Sequence, residues 1–194
     1  NREYTAVELY DCVTTQRRTV YAPESDVLCV AVHPTKPIVA CVVNSAGYPR
    51  LQLRNLTTGE QIVYASLPQH LVREIIWATT GDRIICITED TTEPTNILVW
   101  SMDDDRGWFL SHNTATIPAS RYVEPTLEQA VSFDGLKIPF FLFTPKTPLP
   151  HKPAIVLVHG GPESQFQAGF HPLVQYFVML GYAVAAPNVR GSSG

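Results

Sequence analysis

The chain has 194 residues, of which 45% are hydrophobic and 16% are charged. This length suits one domain or parts of two, and the apolar content excludes a long disordered or collagen-like chain. The formal net charge is −4 and no Lys/Arg cluster is present, so nucleic-acid binding is not predicted. No apolar run approaches the roughly 18 residues of a membrane span, so no membrane partner is predicted.

The two ends of the chain are unusual. It opens on Asn1 without a Met, and it stops at 190–194, shortly after an apolar run. Neither end resembles a natural terminus. We therefore expect an internal stretch of a longer protein, and the missing signal-like start carries little weight.

The four cysteines point to structural thiols. Cys29, Cys41 and Cys86 lie in apolar, strand-like runs, Cys12 does not, and no two form a C-x-x-C pair. A free Cys in such a run behaves as a small hydrophobe. We predict reduced thiols in a cytoplasmic protein, with disulfides as the alternative.

The first 120 residues contain an internal repeat. Residues 30–42 match residues 75–87 at an offset of 45 (from position 30 to position 75), and each copy reads as strand, turn, strand. A partial copy precedes them, in which 7–9 matches 51–53 and 20–22 matches 63–65. Four short strands per unit of this length are typical of a β-propeller blade. The alternative is a β-sandwich with accidental similarity.

No metal or cofactor is predicted. The acidic run 103–105 lacks the spacing of a calcium loop and is interpreted as a solvated turn. His33, His70 and His112 are isolated along the sequence, and we interpret them as loop or packing residues.

The pattern changes after residue 120. An edge strand is predicted at 126–131, an Asp-Gly turn at 134–135 and a returning strand at 138–144. The apolar run 154–158 predicts a strand buried on both faces, followed by a helix over 166–180 and a second buried strand over 182–187. Strand, glycine loop, helix and strand form a βαβ-type unit.

The motif His159-Gly160-Gly161-Pro162 follows the first buried strand directly. Open α/β sheets place their active sites at such carboxyl ends of strands. Glycines let the backbone approach a substrate oxygen, and an HGG-type loop of lipases and esterases donates a backbone N–H to the oxyanion hole. The alternative is an ordinary tight turn between strand and helix.

Several motifs occur in an order that resembles the prolyl oligopeptidase family (peptidase family S9), nearest to its acylaminoacyl-peptidase and dipeptidyl-peptidase-like branch. They are 133–139, 158–162 with Gln165, Gln175, 181–184 and 187–194. The resemblance implies a partial β-propeller of two to three blades over residues 1–120. Residues 121–194 would then begin an α/β-hydrolase catalytic domain.

The resemblance also implies residue roles. Gly161 would supply an oxyanion-hole N–H, Gly160 would shape the loop, and His159 would belong to the loop structure. Arg190 would anchor loops by hydrogen bonding, with substrate-carboxylate binding as the alternative. Members cleave short peptides through a Ser, Asp and His triad, so the implied partners are short peptide substrates, with a homo-oligomer of the full-length protein left open.

The sequence departs from the family at the nucleophile. It contains no G-x-S-x-G elbow, and the run 191–194 is one residue short of that pattern. We therefore do not assign Ser192 or Ser193 as a nucleophile, and we expect no base within reach of either hydroxyl and no third group to hold such a base.

Three functions stay open at this point. The first is a serine peptidase working through an acyl-enzyme, of which this segment, lacking the triad, is inactive alone. The second is a carboxylesterase with a propeller domain. The third is a non-catalytic propeller that binds proteins.

Overall fold

A computed structural model describes residues 3–113, 117–161 and 163–193. The chain divides into two compact units. The first comprises Asn1–Glu89 and Thr95–Asn113, and the second comprises Asp90–Pro94 and Thr114–Ser193. The predicted domain boundary at residue 120 stays a prediction.

The described residues of the first unit form three antiparallel sheets. The small sheet pairs β1 (Val7–Tyr10) with β2 (Arg17–Tyr21). The second sheet contains β3 (Val27–Val32), β4 (Ile38–Ser45), β5 (Tyr48–Asn55) and β6 (Gln61–Ile62) in chain order. The third contains β7 (Leu71–Trp77), β8 (Arg83–Glu89), β9 (Asn96–Ser101) and β10 (Arg106–Phe109), again in chain order.

The strand pairing confirms the repeat. Val30 pairs with Cys41 between β3 and β4, and Ile75 pairs with Cys86 between β7 and β8. The two pairs are equivalent under the 45-residue offset, so each copy folds into the same four-stranded meander. The match of 20–22 to 63–65 is not reflected in strands, because β6 ends at Ile62, whereas β2 runs to Tyr21.

Strand β4 explains why these sheets stack. Ala40 and Val42 on one face join the main core, which also contains Leu53, Val72 and Trp100 from neighbouring strands. The alternate residues of β4 join a second core with residues of β1 and β2: Val7, Val20, Val39, Cys41 and Val43. A strand with period-two side chains can serve two cores only when sheets cover both of its faces. This face-to-face stacking of four-stranded meanders is the propeller architecture predicted from the repeat.

The cysteines are unpaired thiols. Cys41 and Cys86 are buried, Cys29 is half-buried and Cys12 is exposed. Burial raises the pKa of the Cys41 thiol to about 11 and that of Cys86 to about 12. These two thiols therefore stay protonated and act as core side chains.

Within its described ranges, the second unit contains one mixed sheet. Its strands are β11 (Thr126–Val131), β12 (Lys137–Phe143), β13 (Ala154–Val156) and β14 (Ala183–Pro187), in the order β11-β12-β14-β13. A short 3-10 helix spans Ala119–Arg121, and helix α1 spans Pro172–Met179. Strands β13 and β14 are parallel and adjacent, with α1 between them in sequence, so the βαβ unit is present.

Two boundaries differ from the prediction by two residues or more. The helix begins at Pro172 rather than at Phe166, because proline has no N–H for a helical hydrogen bond and disfavours helical backbone at the residue before it. His171 is accordingly extended, with φ −113° and ψ 97°. Strand β13 ends at Val156, and Val156 and Val158 are 66% and 56% exposed. The prediction of a strand buried on both faces is wrong for this run, because the face that carries Ala154 and Val156 is exposed. Among the described strands β13 pairs only with β14, which places it at the edge of the sheet.

In the part of the chain that the structure describes, no helix is long and apolar enough to cross a membrane.

Candidate functional site

Two loops leave the carboxyl ends of neighbouring parallel strands. One follows β13 and carries the 159–161 part of the glycine motif, while Pro162 lies outside the described residues. The other follows β14 and carries 188–193, while Gly194 is also outside them. Because β13 and β14 are adjacent and parallel, both loops lie at the same edge of the sheet.

Gly161 has a backbone that only glycine adopts easily. Its φ is +118°, and a Cβ added there would lie 2.8 Å from the Cβ of Ser164. The residue is exposed, and no described residue accepts a hydrogen bond from its N–H. An exposed, uncommitted N–H on a constrained glycine can donate to an oxygen anion that approaches from solvent.

Gly160 has different surroundings. No atom lies within 4 Å of an added Cβ, and its φ lies outside the left-handed region. The local packing therefore does not require glycine at this position. Its assigned role in shaping the loop stays a prediction.

His159 joins the two loops. Its Nε2 lies 2.7 Å from the Ser192 hydroxyl, and its Nδ1 lies 3.0 Å from the Gly160 carbonyl oxygen. A carbonyl oxygen only accepts, so in the neutral ring Nδ1–H donates to Gly160 and Nε2 accepts from Ser192. The expectation that no base lies within reach of Ser192 is thus wrong.

The pair nevertheless differs from a triad in its third member. The group facing His159 Nδ1 is the Gly160 carbonyl, not a carboxylate, so it orients the ring without adding a negative charge to stabilise an imidazolium. The His159–Ser192 hydrogen bond therefore connects the two loops. That Ser192 is no nucleophile stays a prediction.

Two further contacts tie the same loops together. The Ser193 N–H donates to the Ser164 carbonyl at 3.0 Å. The Asn188 amide accepts from the Phe166 N–H at 2.7 Å and donates to the Phe166 carbonyl at 3.1 Å. The His159–Ser192 bond secures the loop before Gly161, and the contacts of Ser164 and Phe166 secure it after Gly161. Anchors on both sides of the glycine pre-organise the loop.

Arg190 faces the turn between β11 and β12. Its guanidinium forms an ion pair with Asp134, donates to the Ser132 hydroxyl at 3.2 Å and lies 5.4 Å from the centre of the exposed Phe133 ring. The hydrogen bond from Arg190, and then that from the Leu136 N–H, hold the pKa of Asp134 below its usual value of 3.8. A substrate carboxylate would have to compete with Asp134 for this guanidinium, so the substrate-binding role of Arg190 stays a prediction.

Helix α1 is attached to the rest of its unit by the side chain of its own residue Gln175, which is buried. Its Oε1 accepts from the Val123 N–H at 3.0 Å, and its Nε2 donates to the carbonyls of Val123 and Thr91, each at 2.9 Å. The amide therefore makes three hydrogen bonds to backbone. They fix the helix that connects the two loop-bearing strands.

Three of these residues belong to motifs of the sequence, but their hydrogen-bond partners could not be predicted from it. Asn188, Ser192 and Gln175 contact residues 22, 33 and 52 positions away. The only available signal was composition: a Gln on the buried stripe of a helix and an Asn directly after a strand both need hydrogen-bond partners.

The stacked meanders of the first unit and the βαβ sheet of the second define the class of protein. They are propeller-type blades followed by the opening part of an α/β-hydrolase fold, with a glycine loop at the carboxyl edge of the sheet. The predicted fold class is confirmed.

No family model matches the chain. Solved structures do. A puromycin hydrolase matches with a TM-score of 0.86 at 20% identity, covering 99% of this chain and 31% of its own. The acylaminoacyl peptidase of Pyrococcus horikoshii matches with a TM-score of 0.75 at 21% identity, covering 99% and 29%. Dipeptidyl peptidase 4 of Porphyromonas gingivalis matches with a TM-score of 0.78 at 17% identity, covering 98% and 28%.

This chain therefore has the fold of the prolyl oligopeptidase (S9) peptidases, which confirms the resemblance in fold. It spans less than a third of the length of each of these chains.

Proposed function

We propose that the chain belongs to a serine peptidase of the prolyl oligopeptidase family that hydrolyses short peptides through an acyl-enzyme. The observation that carries the proposal is the loop after β13. There the exposed Gly161 N–H has no acceptor among the described residues, and hydrogen bonds on both sides of this glycine hold its loop to the neighbouring loop. In this role Gly161 donates to the oxyanion of the tetrahedral intermediate, and Gly160 keeps the approach to it open.

The similar structures support peptides as substrates. One is an acylaminoacyl peptidase in complex with Z-Gly-Gly-Phe-chloromethyl ketone, and another is the puromycin hydrolase S511A mutant complexed with PGG. The proposal includes a preference for acylaminoacyl-peptide or dipeptidyl substrates. A cytoplasmic location is proposed as well, supported by four thiols that form no disulfide.

Activity is tested on the full-length protein. Acyl-peptide and dipeptidyl nitroanilides are assayed beside nitrophenyl esters, and amide cleavage is expected. Cleavage of the esters alone would replace the peptidase by an esterase. Loss of one oxyanion donor costs about 100- to 1,000-fold in kcat, so Gly161→Ala, which displaces the loop, should cause a loss of this order. Leu173→Ala, at an exposed position of α1 without a role in the site, is the control and should retain most activity.

The 194-residue chain alone is proposed to be inactive, since its sequence has no G-x-S-x-G elbow. A fluorophosphonate probe should leave it unlabelled. The Ser192→Ala variant makes the test specific, because His159 lies beside that hydroxyl. Labelling that disappears in Ser192→Ala would show that the His159–Ser192 pair is reactive.

A further inference from the structure

The second unit contains a cavity that does not include the glycine loop. Its volume is about 290 Å³, close to the lower end of the range for ligand-binding pockets. It lies beside the last turn of α1, and its lining residues are Arg121, Val123, Lys146, Thr147, Val178 and Met179.

The floor of the cavity is apolar and rigid. Val123 and Val178 are buried, and Met179 is half-buried beside them. The Gln175 amide holds both the N–H and the carbonyl of Val123 against the helix. The floor therefore offers a preformed surface to an aliphatic group of a ligand.

The rim of the cavity is cationic. Lys146 donates to the Ser120 carbonyl, which leaves two of its three ammonium donors for a ligand. The Arg121 side chain has no hydrogen-bond or ion-pair partner among the described residues. None of the described residues that line this cavity carries a carboxylate. Two cations without an acid favour a negatively charged ligand group.

We propose that this cavity binds a small carboxylate that carries an aliphatic group. Its carboxylate would lie between Arg121 and Lys146, and the aliphatic group would lie on Val123, Val178 and Met179. The C-terminal residue of a short peptide and a free N-acyl amino acid both present this chemistry. The proposal does not depend on the proposed peptidase function.

The chain offers a built-in probe, because it contains two methionines. Met179 lines the cavity, whereas Met102 is buried in the core of the first unit. The chain is labelled with ¹³C in the methionine methyl groups and titrated by NMR with N-acetyl-leucine. We expect a saturable shift of the Met179 signal at millimolar concentrations, while the Met102 signal stays in place.

Two comparison ligands test the chemistry. N-acetyl-leucinamide lacks the charge, and N-acetylglycine lacks the aliphatic group, so both should bind at least about tenfold more weakly, as expected for the loss of one charge-assisted hydrogen bond or one buried aliphatic side chain. The tripeptide Gly-Gly-Leu distinguishes the sources. Binding like that of N-acetyl-leucine indicates a peptide end, and weaker binding indicates a free acyl amino acid.

The variants Arg121→Gln and Lys146→Gln should each lower the affinity for N-acetyl-leucine by about tenfold. Lys137→Gln, an exposed lysine at the start of β12, should leave its affinity unchanged. The absence of a saturable Met179 shift in the unmodified chain would overturn the proposal. Equal binding of the acid and its amide would overturn it too, and neither of these measurements requires a variant to fold.

Discussion

At the scale of single residues, adjacent glycines of the candidate site have unequal constraints. Gly161 combines a φ of +118° with a Ser164 Cβ only 2.8 Å from any added Cβ, while Gly160 has open space around it. The motif in the sequence makes the two positions look alike. Their difference depends on the path of the chain after residue 161, which brings Ser164 back toward the glycine.

We therefore expect Gly161→Ala to lower the free energy of unfolding by about 1–3 kcal/mol, since alanine at this φ is strained and its methyl group collides with Ser164. Gly160→Ala should change it by less than about 0.5 kcal/mol. Urea unfolding of the two variants beside the parent chain measures both. Equal effects of the two substitutions would show that the contact with Ser164 does not constrain the loop.

Asp134 supplies a pH-dependent contribution. Its pKa is lowered in the folded chain, chiefly by the hydrogen bond from Arg190. The stability that this contact adds is therefore complete above the ordinary aspartate pKa of 3.8, and it is lost as the pH falls through the lower, folded pKa. Asp134→Asn should be less stable than the parent at neutral pH, and the gap should narrow below about pH 4.

The measurement is urea unfolding of both chains between neutral and acidic pH. Arg190→Gln is the matched variant and should remove the larger share of the same pH-dependent stability, because it takes away the main partner of Asp134 and leaves the Leu136 N–H in place. A gap between Asp134→Asn and the parent that stays constant across this range would contradict the assignment.

At the scale of elements, α1 depends on one buried amide. The helix has eight residues, too few to be stable by itself, so tertiary contacts must hold it. Gln175 contributes three hydrogen bonds to backbone groups of residues 91 and 123. A polar side chain at the centre of an apolar stripe thus connects the helix to two distant segments of its unit.

Gln175→Leu should destabilise the chain by about 3 kcal/mol or more, because it preserves the approximate size but leaves the Val123 N–H, the Val123 carbonyl and the Thr91 carbonyl without partners. Leu173→Ala, at an exposed position of the same helix, should change the free energy of unfolding by no more than about 0.5 kcal/mol. Thermal or urea unfolding distinguishes the two. A mild effect of Gln175→Leu would mean that water replaces the amide.

At the scale of the whole molecule, the cysteines report on the integrity of the stacked sheets. Cys41 and Cys86 lie in two different four-stranded sheets, and both are fully buried. Burial raises the pKa of Cys29 as well, with a further increase from the nearby Glu74 carboxylate. Cys12 is exposed on a turn.

A thiol-specific reagent at neutral pH should therefore modify Cys12 rapidly and Cys29 slowly. Cys41 and Cys86 should react only when the chain unfolds, because a buried, protonated thiol is neither accessible nor nucleophilic. Mass spectrometry of the labelled peptides over time, with and without urea, gives the order of reaction. Rapid labelling of Cys41 or Cys86 in the folded chain would show that the sheets separate readily.

The strand pairs of the blades could be predicted because they are local. The hairpins β3–β4 and β7–β8 join neighbouring segments, and the repeat at 45 residues marks both. The Asp-Gly hairpin at 134–135 was predictable for the same reason, since the turn chemistry is contained in adjacent residues. The beginning of α1 was missed because the apolar spacing continues upstream of Pro172 into residues that do not form helix.

The sequence by itself determined the succession of strands along the chain, the glycine loop after β13 and the family whose fold the chain shares. These features depend on periodicity and on motifs of neighbouring residues. Only the tertiary structure decided that His159 bonds to Ser192, that Arg190 faces Asp134 and that Val156 stays exposed. Each of these depends on where segments tens of residues apart meet, or on which strands cover which face. Hydrophobic patterning specifies that a face needs a neighbour, but the packing of the chain determines which neighbour it has.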